Sequence, residues 1–530
     1  MAEVELAEIF EQVQQAYRLY DESKLDDAKA LTLKIEAMQT GYSDEYEKAL
    51  CRKYTAPCLI DIGAAVNDEA MVKRGTTYFR EWIDAFAPKD ELAHELYNLA
   101  NGYFSSWKFN SAKLISDAAD AEEHRLARHY YRQSMQTLQP KHYAEGLACL
   151  VWTNYGNGLD SVGRSIEAID AYDVALRINP KMGMALGNKG VAISYLAPIM
   201  HGHSHLFYLE AIRLLQKALE QALPQEARTG FTRKLAQLNG LLKDHGEMHP
   251  EEVKGLEPTT DFHRFLCEFC ARYGLFLNPV TFLGEEKRTY YGDPMFISTM
   301  YASLEDMNKF DRYVTFLNEI KQDFVLGRYM LVQSQYASQE IDTVDEGVSL
   351  FYPLDYSLHS TYIQLLKAAK RQAIAVLDKI AYFIYDYCKL TTPAPDRVTF
   401  RQIWGGNEKI RSDFANFASP HLFALFGLAQ DVSKKGDWHT IYDHRDALTH
   451  RFLVIHDFQR ADQTNADIPR MNLDEFLNNT ILAFKIARAA ITYLILFVEH
   501  QEHIENQKNN EKTAPVFATP IDSVFRYRPK

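Results

Sequence analysis

A chain of 530 residues, 47% apolar and 24% charged, is globular and too long for one ordinary core, so two or three domains are expected. Its formal charge of −13 argues against a protein that coats nucleic acid and confines any RNA contact to a small local surface. Modest Gly and Pro content, with aliphatic stretches recurring at helical spacing, indicates an all-α protein.

The opening residues, Met1-Ala2-Glu3-Val4-Glu5, are acidic and lack the basic n-region and apolar core of a secretory leader. The six cysteines, Cys51, Cys58, Cys149, Cys267, Cys270 and Cys388, are sparse. They read as reduced core thiols of a cytoplasmic protein. In residues 1–245 the strongest pattern is Trp152, Tyr155, Gly156 and Leu159, followed by Ala168, Tyr172 and Pro180. Small residues let two helices approach, large ones fill the gaps, and the Pro ends the second helix. This spacing resembles a tetratricopeptide (TPR) helix pair. Weaker echoes are Leu96, Leu99, Ala100 and Tyr103 with Ala127, Tyr131 and Pro140, then Leu186, Gly190 and Ile193 with Ala211, Leu215 and Ala218. Ala16 and Ala28 keep the spacing in a degenerate first unit. Such stacked pairs form a curved array. Its concave surface is expected either to bind a protein or peptide or to serve as a packing platform.

Two candidate metal features intervene. His201, His203 and His205 alternate in an insertion, but nothing nearby completes a site, and a solvated loop is expected. Cys267 and Cys270 form a lone CxxC in an apolar helical stretch and read as core residues. No metal or cofactor is expected. A Pro- and Gly-broken polar run near 249–258 marks a boundary. Residues 246–350 read as a linker and extension of short helices. From 351 to 505 a helical bundle is expected, with a long helix over 362–387, shorter ones near 409–417 and 421–432, and a closing helix from about 473 to 501. The apolar run 481–498 is barely long enough to cross a membrane and contains Lys485 and Arg488, so a core helix is expected and no membrane contact. Residues 506–530 read as a polar tail.

Between the last two helices lies Tyr442-Asp443-His444-Arg445-Asp446-Ala447-Leu448-Thr449-His450-Arg451-Phe452. His450 can exchange protons near neutral pH, and Arg445 offers a permanently charged planar fork for phosphate oxygens. Five residues of helix turn roughly 140°, so these two do not share a stripe. Arg445 is therefore expected either at the helix start or reaching around with its long side chain. Asp446 and His450 do share a face. His444, Thr449 and Arg451 are weaker candidates for RNA contact.

An Arg, four intervening residues and a His in a helical C-terminal region resembles the HEPN superfamily, and with the repeats the chain resembles TPR-HEPN proteins of prokaryotic defence and toxin systems. The resemblance implies a metal-independent endoribonuclease in which the ribose 2′-hydroxyl attacks the phosphate. Two motifs would face each other in a homodimer, with Arg445 and His450 as the catalytic core and Asp446 orienting the histidine. In that family the Asp446 position is commonly Asn. A carboxylate there would raise the His450 pKa and could repel phosphate. The alternative is a non-catalytic TPR adaptor with a dimerising HEPN-like domain, since some HEPN domains lack activity. Phosphate-loop, HExxH and GxSxG motifs are absent from the sequence.

Overall fold

The structure, a computed structural model, describes the chain except residues 1–2, 89–91, 111–121, 139–144, 200–203, 245–255, 284–290, 304–307, 352–355, 407–409, 418, 458–467, 509–512 and 518–530. The first half is a series of helix pairs. They are α1 (Glu3–Asp21) with α2 (Leu25–Ala37), α3 (Glu45–Ala65) with α4 (Glu69–Ala85), and α5 (Leu92–Asn110) with α6 (Glu122–Thr137). Then come α7 (Glu145–Asp160) with α8 (Ser165–Ile178), α9 (Gly183–Leu196) with α10 (Ser204–Leu219), and a closing α11 (Gln225–Asp244). Each helix packs most extensively on its pair mate. The first helices of successive pairs also pack on one another, α1 on α3, α3 on α5, α5 on α7 and α7 on α9. They form a closely spaced inner layer, and the second helices form the outer one, as in a TPR-like array.

The small and large positions read from the sequence explain this packing. A Cβ added at Gly156 of α7 would lie 2.6 Å from the Tyr172 ring of α8, so the close approach requires glycine there. Leu99, Ala100, Ala127, Tyr131, Ile193, Ala211, Leu215 and Ala218 are all buried, as are Ala16 and Ala28. Asp44 and Asp68 cap α3 and α4 by accepting hydrogen bonds from Glu47 N at 3.0 Å and Met71 N at 3.1 Å. Pro140, His201 and His203 fall outside the described residues. His205 departs from the expected solvated loop: it is buried in the first turn of α10.

After the array come α12 (Asp261–Tyr273), β1 (Thr299–Ser303), α13 (Asn308–Gln333), α14 (Gln339–Asp345) and α15 (Thr361–Tyr387). They are followed by α16 (Pro420–Asp431), α17 (Thr440–Asp443), α18 (Arg445–His450), β2 (Val454–His456), β3 (Arg470–Asn472), α19 (Leu473–Lys508) and β4 (Thr513–Phe517). The molecule is all-α, and among the described residues the strands form two small two-stranded ribbons, β1 antiparallel to β4 and β2 parallel to β3. Two expectations for the flanking segments change. Residues 308–333, read as short helices, form one 26-residue helix against α15. Gly327 sits at the crossing with α15, where a Cβ would lie 2.8 Å from Gln372 Cβ. The stretch 506–530, read as a polar tail, contains β4 and so returns to the body of the molecule.

α13, α15, α16 and α19 pack into the C-terminal bundle. α19 is the one helix among the described residues long and apolar enough to cross a membrane, and its most apolar window is 89% buried within the protein. It is the bundle's central helix. All six cysteines are buried free thiols, Cys267 and Cys270 included. The bundle meets the outer layer of the array, and one apolar core runs from α5 onward through both, while α1–α4 are centred on two smaller apolar clusters.

At that junction Asp431, at the end of α16, is surrounded by three arginines of the array. Arg128 lies 3.1 Å away, and Arg132 and Arg164 both lie at 2.6 Å. Burial opposes ionisation of Asp431, but the three guanidinium groups more than reverse it and hold the carboxyl well below its usual range. Arg132 also pairs with Asp437 at 2.8 Å, Arg164 with Glu167 at 2.7 Å, and Trp438 lies under the guanidinium groups of both arginines. The array thus grips the segment that leads directly into α17 and α18.

Candidate active site

The motif lies at the surface of the bundle on two short helices. α18 has six residues, with Arg445 first and His450 last, and Leu448 N donates to His444 O at 2.8 Å to close its turn. The backbone becomes extended at Arg451 and enters β2. This run is β-branched and apolar, and Leu358 N donates to Ile455 O at 2.8 Å, so the sheet ribbon stops the helix. A helix this short separates its terminal Cα atoms along the axis by roughly 8 Å. Arg445 is the first residue of this helix, one of the two placements its spacing from His450 allows. Ala447 and Leu448 are buried anchors.

Arg445 reaches across to α15, where Nη2 pairs with Asp378 Oδ2 at 3.0 Å. Its side chain remains 43% exposed, against 16% for Asp378. The other Asp378 oxygen accepts from Phe400 N at 3.0 Å and from the buried Tyr442 hydroxyl at 3.4 Å. Burial pushes the Asp378 carboxyl up, partly offset by the Phe400 N–H, the Arg445 charge and the Tyr442 hydroxyl. Arg401 lies over the Tyr442 ring at 5.3 Å. At the other end of α18, Arg371 donates to Leu448 O at 3.2 Å, a cation placed where the helix carbonyls end. Lys367 donates to Leu453 O at 2.7 Å. Burial, then the Arg371 charge, pushes the Lys367 amine down.

His444 is half-buried, and its Nδ1 lies 3.0 Å from Thr440 O. Thr449 and Arg451 are exposed. Of Asp446 and His450 the structure describes the helical backbone, and their side chains lie outside the described atoms. The structure thus brings Arg445, Lys367, Arg371 and Arg401 to one side of the motif, a local cationic surface on an acidic chain. On another side, reached through the Thr440 hydrogen bond to Asn479 at 3.3 Å, a hollow of about 700 Å³ is lined by Asp457, Asp474, Glu475, Asn472, Asn478 and Asn479. Its carboxylates would repel phosphate, so only the α15 side suits an anion.

Sequence reasoning had found none of the α15 groups. Lys367, Arg371 and Asp378 are spaced four and seven apart, one polar stripe on an otherwise apolar helix, and that stripe was the available signal.

Residues 304–501 match the family model of the LA2681-like HEPN domain. The C-terminal bundle is an HEPN domain. The matched range includes α13, so the long helix ahead of residue 351 belongs to the HEPN match. No curated protein matches the chain.

Proposed function

We propose that the protein is an endoribonuclease that cleaves RNA by attack of the ribose 2′-hydroxyl on the adjacent phosphate, without a metal ion. HEPN domains are often ribonucleases, which supports a nuclease in coarse terms. The observation that carries the finer reading is Arg445. Its guanidinium is held by Asp378 yet stays half-open to solvent, within a surface of three further cations. A planar fork in that setting can steady the charge that builds on a phosphate under attack. His450, at the other end of the same short helix, supplies the proton-exchanging group. One imidazole cannot act as both acid and base in a single step, so two copies of the motif share the work in a homodimer. Asp446, one turn before His450, orients its ring. His444, Thr449 and Arg451 contribute only secondary RNA contacts. The array would hold the enzyme idle or sense a partner, a role in keeping with defence or toxin systems.

The adaptor reading retains one supporting observation: the Arg445–Asp378 pair already engages one face of the guanidinium. Incubation of the purified chain with total RNA in EDTA separates the readings, with His450→Ala and Arg445→Ala run alongside. Cleavage by the wild type alone, leaving cyclic phosphate ends, supports the nuclease. Intact RNA in every lane at high protein concentration supports the adaptor.

A further inference from the structure

A cavity of about 380 Å³ lies where α8 of the array, the end of α12 and the central helix α19 converge. Its lining carries both signs of charge. Asp170, Asp173 and Arg177 come from α8, Arg272 from α12, and Lys485 and Arg488 from α19. The α8 groups are spaced three and four apart, and the α19 groups three apart, so each set lies on one face of its helix. None of the six belongs to the motif around Arg445.

One of these cations is fixed in place. Arg488 has only 4% of its side chain exposed and lies 3.6 Å from Asp170 Oδ2. It donates to Gly274 O, where α12 ends, and stacks over the Phe282 ring at 4.8 Å. Lys485, half-buried on the same helix, acts with Arg488 on Asp170. Asp173 pairs with Lys189 of α9 at 2.6 Å, so its charge is met by a group outside the lining. Arg177 and Arg272 are exposed and have no carboxylate partner among the described residues. Arg272 lies over the Tyr273 ring at 5.5 Å. The cavity therefore holds a surplus of positive charge on a chain whose formal charge is −13.

Three conditions on an occupant follow. The surplus suits an anion, and guanidinium forks beside an ammonium are the groups that hold phosphate oxygens. The space exceeds the roughly 300 Å³ at which pockets begin to enclose small organic ligands, and a bare phosphate would fill little of it. An ionised carboxylate only accepts hydrogen bonds, so Asp170 and Asp173 call for hydroxyl donors beside the anion and repel a second phosphate.

We propose that this cavity binds a sugar phosphate, a small polyhydroxylated molecule with one phosphomonoester. The phosphate sits among Arg177, Lys485 and Arg488, Arg272 adds charge at the rim, and Asp170 accepts hydrogen bonds from the hydroxyls. The two carboxylates disfavour a polyanionic strand, so RNA is not the occupant. One wall belongs to the array and another to the bundle, so a bound ligand ties the two halves together and stabilises the chain. This inference does not rest on the nuclease reading.

The test is calorimetric titration of the full chain with ribose 5-phosphate, glucose 6-phosphate and fructose 6-phosphate, with ribose and inorganic phosphate as separate arms. At least one sugar phosphate should bind and raise the melting temperature, and ribose should not. Inorganic phosphate should bind about tenfold more weakly or worse. Arg177→Ala and Lys485→Met should each weaken the bound sugar phosphate about tenfold. Arg177 is exposed and has no carboxylate partner among the described residues, so without ligand its variant should melt with the wild type. That separates lost binding from lost folding. No binding of any sugar phosphate, equal affinity for inorganic phosphate, undiminished binding to both variants, or displacement of the sugar phosphate by a short single-stranded RNA would each overturn the proposal.

Discussion

Arg164 and Arg445 carry the same charge in opposite settings. Arg164 is fully buried, engaged by Asp431 and Glu167 and stacked on Trp438. Arg445 has one carboxylate partner and 43% of its side chain in solvent. A guanidinium saturated by fixed partners in a dry junction can only hold parts together. One held from a single side is oriented and still has donors to offer. The contrast separates the groups that build this molecule from those that can act on a ligand, although both arise from arginines near carboxylates.

The sharpest way to break that contrast is Asp431→Ala. It leaves three buried arginines short of a partner and should cost about 3–5 kcal/mol of stability by urea denaturation. The sign with pH follows from the depressed carboxyl. Its stabilisation is complete above the unfolded value near 3.9 and disappears as pH falls through the lower folded value. The stability gap between wild type and Asp431→Asn should therefore close in strong acid. A gap that stays constant down to pH 2 would count against the cluster. Arg445→Ala should do the reverse. RNA cleavage should fall by about 10²–10³-fold, as when one transition-state donor is lost, while stability changes by less than about 1 kcal/mol. A large drop in melting temperature would place Arg445 with the structural arginines.

Smaller effects sharpen the picture. Gly156→Ala drives a methyl against the Tyr172 ring and should cost about 1–3 kcal/mol, readable by calorimetry. Asp378→Asn should leave the fold intact, because burial already raises its carboxyl and penalises the charge. Cleavage should drop by roughly tenfold through loss of a charge-assisted contact that orients Arg445. In the wild type, Asp378 takes up its proton at a higher pH than an ordinary aspartate, so part of the acid-side loss of activity should come from it. The pH–rate profile of Asp378→Asn should lack that part, and an unchanged acid limb would remove Asp378 from the argument.

What could be read from the sequence was local. The apolar periodicity of 362–387 and 473–501 located α15 and α19, and Gly156 with Tyr172 located a helix pair, because each signal lies within a few turns of chain. Spacing alone also narrowed Arg445 to two placements, a helix start or a side chain reaching around, and the first is found. Asp378 did not, since it lies 67 positions from Arg445 and sits in a stretch dominated by apolar residues. The Asp431 cluster joins residues about 300 positions apart, and nothing local to Arg128, Arg132 or Arg164 distinguishes them from surface arginines. The 26-residue α13 was read as short helices, and the reason for Gly327 within it appears only once Gln372 is opposite.

The apolar core that runs through both halves also governs how the protein can be taken apart. From α5 to the end of the bundle the chain should melt as one cooperative unit in a single calorimetric transition, and α1–α4, built on two separate clusters, should open at or below it. A fragment beginning near residue 304 would bare the surfaces that α6 and α8 cover and leave Asp431 without its counter-charges. Dissection of this protein is therefore better done by point substitution than by cutting the chain.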